Sequence, residues 1–221
     1  MKLLFENWRK FLNEEQESSY QIYCDMDGVL VDFEQGAVDR INRDIQDESL
    51  PDRKPTGGIT KIGKLRKALA EFGLDTIDSS HIQKIKAPIN KVTRPYMYAT
   101  LGDNEEFWAT LPWMPGGKEL WAYIGQYEPD ILTSPMGPGS KTGKQIWIND
   151  NLTNPAPKEV FMSHDKDKWA TSDDGPNILI DDFTSNTIPW ENAGGIAILH
   201  TKEGGASATI EKLKEIFGQT T

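Results

Sequence analysis

The sequence predicts an α/β fold, a doubly wound and mostly parallel sheet carrying an inserted, mainly helical cap. Short apolar strands alternate with helical segments from Pro112 to the end of the 221 residues, the pattern of βα units. A further short strand, Gln21–Met26, stands apart near the start and ends in acidic residues and Gly28. The stretch from about Gly36 to Trp108 breaks the alternation, as an insertion between the first strand and the rest would.

Each element has a local reason. Leu4, Trp8, Phe11 and Leu12 fall on one face of an amphipathic helix over residues 1–17, expected to dock on the body or on a second copy of the chain. Its apolar run is too short and too soon charged for a signal peptide. Residues 35–45 look helical. Gln46–Thr60, with two Pro and two Gly, reads as a loop. Lys61–Phe72 returns to helical spacing, with Gly73 as the stop. Asp75–Asp103 has a mixed pattern, and Asn104–Leu111 suits a short helix. Beyond Pro112, helices are expected at 117–127, 140–152 and 206–217. Strands are expected at 130–133, 159–162, 177–180 and 195–199. The domains are then a catalytic core at 18–36 and 109–221, and a cap at 37–108.

Composition narrows the function. The chain has 24 Lys+Arg against 34 Asp+Glu, a net charge of −10, which disfavours nucleic-acid and membrane-surface binding. One Cys excludes an intramolecular disulfide framework and a Cys-based zinc site, and suits a reducing cytoplasm. Cys24 is expected as a small core residue. His81, His164 and His200 form no ligand pair, and His164 reads as a surface residue. Trp108, Trp113, Trp121 and Trp147 suit core or helix packing. Gly137–Gln145 tempts as a phosphate-binding loop. Pro138 stands at its first Gly position and Gln145 at its hydroxyl position, so a flexible loop leading into a helix is expected.

The chemistry concentrates at four strand ends. Asp25-Met-Asp27-Gly28 places two carboxylates at the end of the first strand, where open α/β sheets bind ligands. Such carboxylates repel unless a cation compensates, and Mg2+ is the natural oxygen-bound choice. Thr133-Ser134 ends a second strand with hydroxyls suited to phosphate. Lys166 follows a third strand and could neutralise phosphate charge. Asp181-Asp182 ends a fourth apolar strand and adds a second pair of carboxylates.

These four segments, in this order, resemble the motifs of the haloacid dehalogenase (HAD) superfamily. Within it the sequence is similar to the 5'(3')-deoxyribonucleotidases. The pieces that carry this are Asp25–Phe33, Phe107–Gly116, Thr133–Pro135, Lys144–Trp147, Asp165–Lys166, Leu179–Asp182 and Pro189–Glu191. The insertion Thr171–Pro176 sets Lys166 unusually far from Asp181, so Lys168, Lys144 and Lys141 compete for its place.

The resemblance implies a cytoplasmic, Mg2+-dependent phosphomonoesterase acting on nucleoside, and by resemblance deoxynucleoside, 5'-monophosphates. Asp25 would be the nucleophile and Asp27 the general acid and base. Thr133, Ser134 and Lys166 would hold phosphate. Asp25, the Asp27 carbonyl and Asp181 or Asp182 would hold the metal. Phe33, at the cap–core boundary, would stack on a base or serve as a hydrophobic hinge. The alternatives are a phosphatase for another small phosphomonoester or a polynucleotide 3'-phosphate, transfer to an acceptor other than water, and a non-catalytic binding module. The expected partner is a small phosphomonoester, with no stable nucleic-acid or membrane partner.

Overall fold

The computed structural model describes residues 20–83 and 86–218. The helix expected over 1–17 lies outside them. At the centre is β1 (Ile22–Cys24), flanked by β2 (Asp130–Thr133) and by β6 (Ile178–Asp181). β3 (Val160–Met162) lies outside β2 and β7 (Ile196–Leu199) outside β6, giving the order β3-β2-β1-β6-β7. All four pairings are parallel. The three inner strands are buried along their whole length. Strands covered on both faces read as continuous apolar runs, as Ile178-Leu-Ile180 does. The chain leaves β1 toward β2 and β3, then returns to the other side of β1. That reversal puts a topological switch point at the carboxyl end of β1.

The insertion is helical. α1 (Phe33–Gln46) is capped by Asp32, whose carboxylate accepts the Gln35 N–H at 3.0 Å. α2 (Lys61–Glu71) is capped by Thr60. A 3-10 turn at Ser79–His81 and α3 (Asn90–Leu101) fill the stretch whose sequence pattern is mixed. Pro95 inside α3 removes one helical donor, which obscures the helix in the sequence. The loop between α1 and α2 is fastened by Arg66, which donates to the carbonyls of Asp44, Ile45, Asp47 and Leu50 and to the Asp52 carboxylate. Tyr96 of α3 donates to Asp44 Oδ2 at 2.8 Å, and Arg40 pairs with the other oxygen at 3.0 Å. These bonds satisfy the buried carboxylate and join α1 to α3.

α4 (Glu105–Ala109) brings the chain back to the sheet, followed by α5 (Gly117–Ile124) and a 3-10 turn at Gly125–Tyr127. α6 (Pro138–Asn151) joins β2 to β3. Its first turns are Pro138–Lys144, the run expected as a flexible loop. Pro138 sits in the first turn, where its missing N–H costs nothing, and Ser140 Oγ accepts the N–H groups of Met136 and Gly137 at 2.7 and 2.9 Å. The insertion at Thr171–Pro176 forms a small hairpin, β4 (Thr171–Ser172) and β5 (Gly175–Pro176). α7 (Thr184–Asn192) has no counterpart in the sequence reading, because Pro189 lies inside it and its apolar residues share no one face. α8 (Gly205–Ile216) closes the fold. Trp108, Trp121 and Trp147 are core residues, as is Cys24. No helix among the described residues is long and apolar enough to cross a membrane.

The contact between α4 and α6 depends on Gly143. A Cβ there would overlap the Glu105 carbonyl and the Trp108 side chain. Helix propensity alone favours Ala over Gly by about 1 kcal/mol. The overlap should reverse that sign, so Gly143→Ala should destabilise by about 1–3 kcal/mol in urea unfolding. A gain in stability would show that α4 does not pack this closely.

Candidate active site

The site assembles where the four inner and outer strands end. Asp25 follows β1 directly, and its N–H donates to the Ile180 carbonyl of β6 at 2.9 Å. The chain then turns sharply. Leu30 and Val31 both donate to the Met26 carbonyl, and Gly28 takes φ +72°, a region that favours glycine. A Cβ at Gly28 would also overlap the Asp182 carboxylate. Gly28 therefore does two things: it closes the turn and it lets the fourth carboxylate approach the first two.

Two lysines enter this group. Lys166, in a 3-10 turn (Lys166–Trp169) after β3, is buried and donates to Asp181 Oδ2 at 2.6 Å. Its ammonium also lies 3.0 Å from Asp25 Oδ1. Lys144, on α6, is fully buried and donates to Asp27 Oδ2 at 2.6 Å, Thr133 Oγ1 at 2.8 Å and the Ser134 carbonyl at 3.0 Å. Its ammonium sits 5.1 Å from the centre of the Trp108 ring. Lys168 instead pairs with Asp165 at the surface, and Lys141 is exposed. Lys166 thus reaches the site despite the Thr171–Pro176 insertion, which is taken up by the β4–β5 hairpin. Lys144 reaches it too, beside the other aspartate of the first motif.

The remaining predicted residues are less uniform. Thr133 is buried, with its hydroxyl on Lys144. Ser134 Oγ donates to the Ser163 carbonyl at 2.9 Å and so ties the end of β2 to that of β3. Phe33 is half-buried and stacks on Trp108, with centroids 5.2 Å apart and planes 13° apart, and meets Phe107 edge-on. One face of its ring is therefore already covered. His164 is exposed.

Asp181 and Asp182 differ. Asp181 accepts from the Phe183 N–H at 2.8 Å, from Asn186 Nδ2 at 3.0 Å on each oxygen, and from Lys166. Its lone pairs are well used. Asp182 is partly exposed. Asn186 lies on α7 and carries no sequence signal, since a single Asn five residues past a carboxylate is commonplace.

Charge is unbalanced here: four carboxylates face two ammonium groups. Burial, then the charges of Asp25, Asp181 and Asp27, push the Asp182 carboxyl up to about 8. Burial and the charge of Asp25 push Asp181 up to about 6, against the pull of Lys166. Asp27 is raised by burial and by Asp25, with Lys144 opposing. Burial draws Lys166 down, but Asp25 and Asp181 outweigh it and hold the ammonium near 12. One oxygen of Asp27 is buried without a hydrogen-bond partner, and Asp25 Oδ1, also buried, meets only the Lys166 ammonium. Asp25, Asp181 and Asp182 can each bring an oxygen within 4.8 Å of the others. An orphaned carboxylate oxygen, an all-oxygen donor set and a deficit of positive charge fit a hard divalent cation such as Mg2+.

The raised carboxyls set a pH dependence for the metal-free protein. From about pH 4 the folded chain holds protons that the unfolded chain has released, on Asp181 up to about pH 6 and on Asp182 up to about pH 8, so stability falls as pH rises through that range. His200, lowered by burial, works the other way. The clean reading is therefore wild-type Tm minus the Tm of Asp182→Asn, both in chelator. That difference should decline from about pH 5 to pH 8. A flat or rising difference would mean that Asp182 is ionised without a cation.

No protein-family model matches the sequence, and no curated protein matches it. Solved structures do. A protein from Clostridium difficile described as a phosphatase superposes with a TM-score of 0.50 at 14% identity, covering 90% of this chain and 98% of that one. A HAD-superfamily hydrolase from Ehrlichia chaffeensis gives 0.49 at 11% identity, over 90% and 96%. A protein from Bacillus subtilis described as a HAD-hydrolase bound to magnesium gives 0.48 at 12%, over 90% and 98%. At 14% identity the likeness to the Clostridium difficile protein is one of fold alone, the α/β architecture built on a five-stranded parallel sheet.

Proposed function

We propose that this chain is a Mg2+-dependent phosphomonoesterase working through a phosphorylated Asp25. The observation that carries the reading is the charge deficit at one strand-end cluster, four carboxylates with two buried lysines and an orphaned oxygen on Asp27. Asp25, the Asp27 carbonyl and Asp182 would hold the cation. Asp181, already occupied by Phe183, Asn186 and Lys166, would instead hold Lys166 in place. When bound, the cation supplies positive charge that draws substrate oxygens to Asp25 and offsets charge on the transferring group.

The chain's own groups do the rest. An Asp25 oxygen attacks phosphorus, and the bond from phosphorus to the ester oxygen breaks. Asp27, whose raised carboxyl retains a proton more readily, donates it to the departing alkoxide. A water then attacks the phosphorus of phospho-Asp25, Asp27 takes its proton, and inorganic phosphate leaves with Asp25 restored. Lys144 holds Asp27 by one oxygen and leaves the other free to face the ester. Lys166 and the Thr133 hydroxyl would hold phosphate oxygens.

A nucleoside 5'-monophosphate is the favoured substrate. Its support is the aromatic group Phe33, Phe107 and Trp108, where α1 leaves the site and Trp108 borders Lys144. The uncovered face of Phe33 would take the base.

Asp25→Asn should lower phosphate release by more than about 10³-fold, as loss of a covalent nucleophile does, with the circular dichroism spectrum unchanged. Activity within tenfold of wild type, with deamidation excluded by mass spectrometry, would remove Asp25 from that role. Phe33→Ala tests the substrate. Base stacking is worth about 1–3 kcal/mol, or about 5- to 150-fold, so kcat/KM for a nucleoside monophosphate should fall by that factor and for a small aryl phosphate far less. Equal losses on both would make Phe33 a hinge contact.

A further inference from the structure

Away from the site, the cap holds a second concentration of charge, of the opposite sign. A cavity of about 520 Å³ lies between α2 and α3 and is bordered by Lys61, Lys64, Lys67, Lys91 and Glu71. Four lysines beside one glutamate are unusual in a chain whose net charge is −10. Lys67 pairs with Glu71 only at 3.9 Å. Among the described residues, Lys61, Lys64 and Lys91 have no carboxylate within ion-pair distance.

Helix polarity sharpens this. Lys61 and Lys64 occupy the first turn of α2, and Lys91 that of α3, and neither first turn has an acidic residue. A helix N-terminus carries partial positive charge and ordinarily selects Asp or Glu there. Lys61 and Lys64 lie at that end of α2 and Lys91 at that of α3, while Glu71, the last residue of α2, marks the opposite end at the same cavity. The floor is apolar, formed by Val92, Pro95 and the ring of Tyr96. Tyr96 also places the cavity: its hydroxyl meets Asp44, eleven residues along α1 from Phe33. At 1.5 Å per residue that is about 16 Å from the site.

The geometry points to an anion site in the cap for a small polyphosphorylated molecule with a planar or apolar body, the chemistry of a nucleoside triphosphate. The lysines neutralise a chain of phosphates, and the body lies on Val92, Pro95 and Tyr96. The volume falls within the range of small-molecule sites, and the overall negative charge disfavours a long nucleic-acid strand. Because the lysines come from both helices, an occupied site would bind α2 to α3. The inference is independent of the phosphatase reading.

Amine-reactive footprinting of the full-length protein, read by mass spectrometry, tests it lysine by lysine. With ATP at ten times its Kd, labelling of Lys61, Lys64 and Lys91 should fall about tenfold, while Lys212 on α8 labels as before. Tripolyphosphate should protect the same lysines only at higher concentration, since it lacks the body. In Lys64→Glu/Lys91→Glu, the rise in Tm caused by ATP should shrink, with aryl phosphate turnover unchanged. Equal protection of Lys212 would reduce the effect to charge screening. Protection by a 12-residue single-stranded oligonucleotide but not by ATP would make the cavity part of a nucleic-acid groove. Either result, or no protection, overturns the inference.

Discussion

The organising constraint is a charge imbalance buried at the end of one strand. Asp25, Asp27, Asp181 and Asp182 meet at the carboxyl ends of β1 and β6, and Lys144 and Lys166 supply only half the compensating charge. Isolated charges are not tolerated in such a place; they are paired, protonated or bound to a cation. Without a cation, burial and the neighbouring carboxylates raise Asp181 and Asp182, so that near neutral pH the excess is relieved mainly by a proton on Asp182. One divalent ion would balance the group. The same imbalance that weakens the bare fold is what would draw a hard divalent cation to the site.

Much of the surrounding structure serves to hold that group together. Parallel pairing of β1 with β6 sets Asp25 beside Asp181, and Gly28 lets Asp182 close over the turn. Asn186, Phe183 and Lys166 occupy Asp181, so the two neighbouring aspartates have different tasks. On the other side, Gly143 allows α4 to lie against α6, which brings Trp108 to Lys144 and Lys144 to Asp27. The cap is joined to this same contact at both ends, since α1 starts at Phe33, stacked on Trp108. A change in cap position would be felt first at Phe33 and Trp108, where the leaving group is proposed to lie.

The strand ends were the legible part of the sequence. Asp25, Asp27, Thr133 and the Asp181-Asp182 pair are residue types that a buried apolar strand would not otherwise choose, so they stand out by contrast, whereas Lys166 competed with Lys168, Lys144 and Lys141. Lys144 was legible only as one of several candidates, because nothing in a helical Lys tells that its ammonium is wholly buried. Asn186 was silent for the same reason. α3 and α7 were hidden by Pro95 and Pro189, which tertiary packing tolerates and local propensity does not. The cap cavity was invisible because its lysines are spread from residue 61 to 91, and only the pairing of α2 with α3 gathers them.

Calorimetric titration of the chelator-treated protein with Mg2+ tests the charge-balance account most directly. It predicts one ion per chain, protons released on binding, and loss of that binding in Asp182→Asn. Two ions per chain, no proton release, or binding untouched by Asp182→Asn would contradict it.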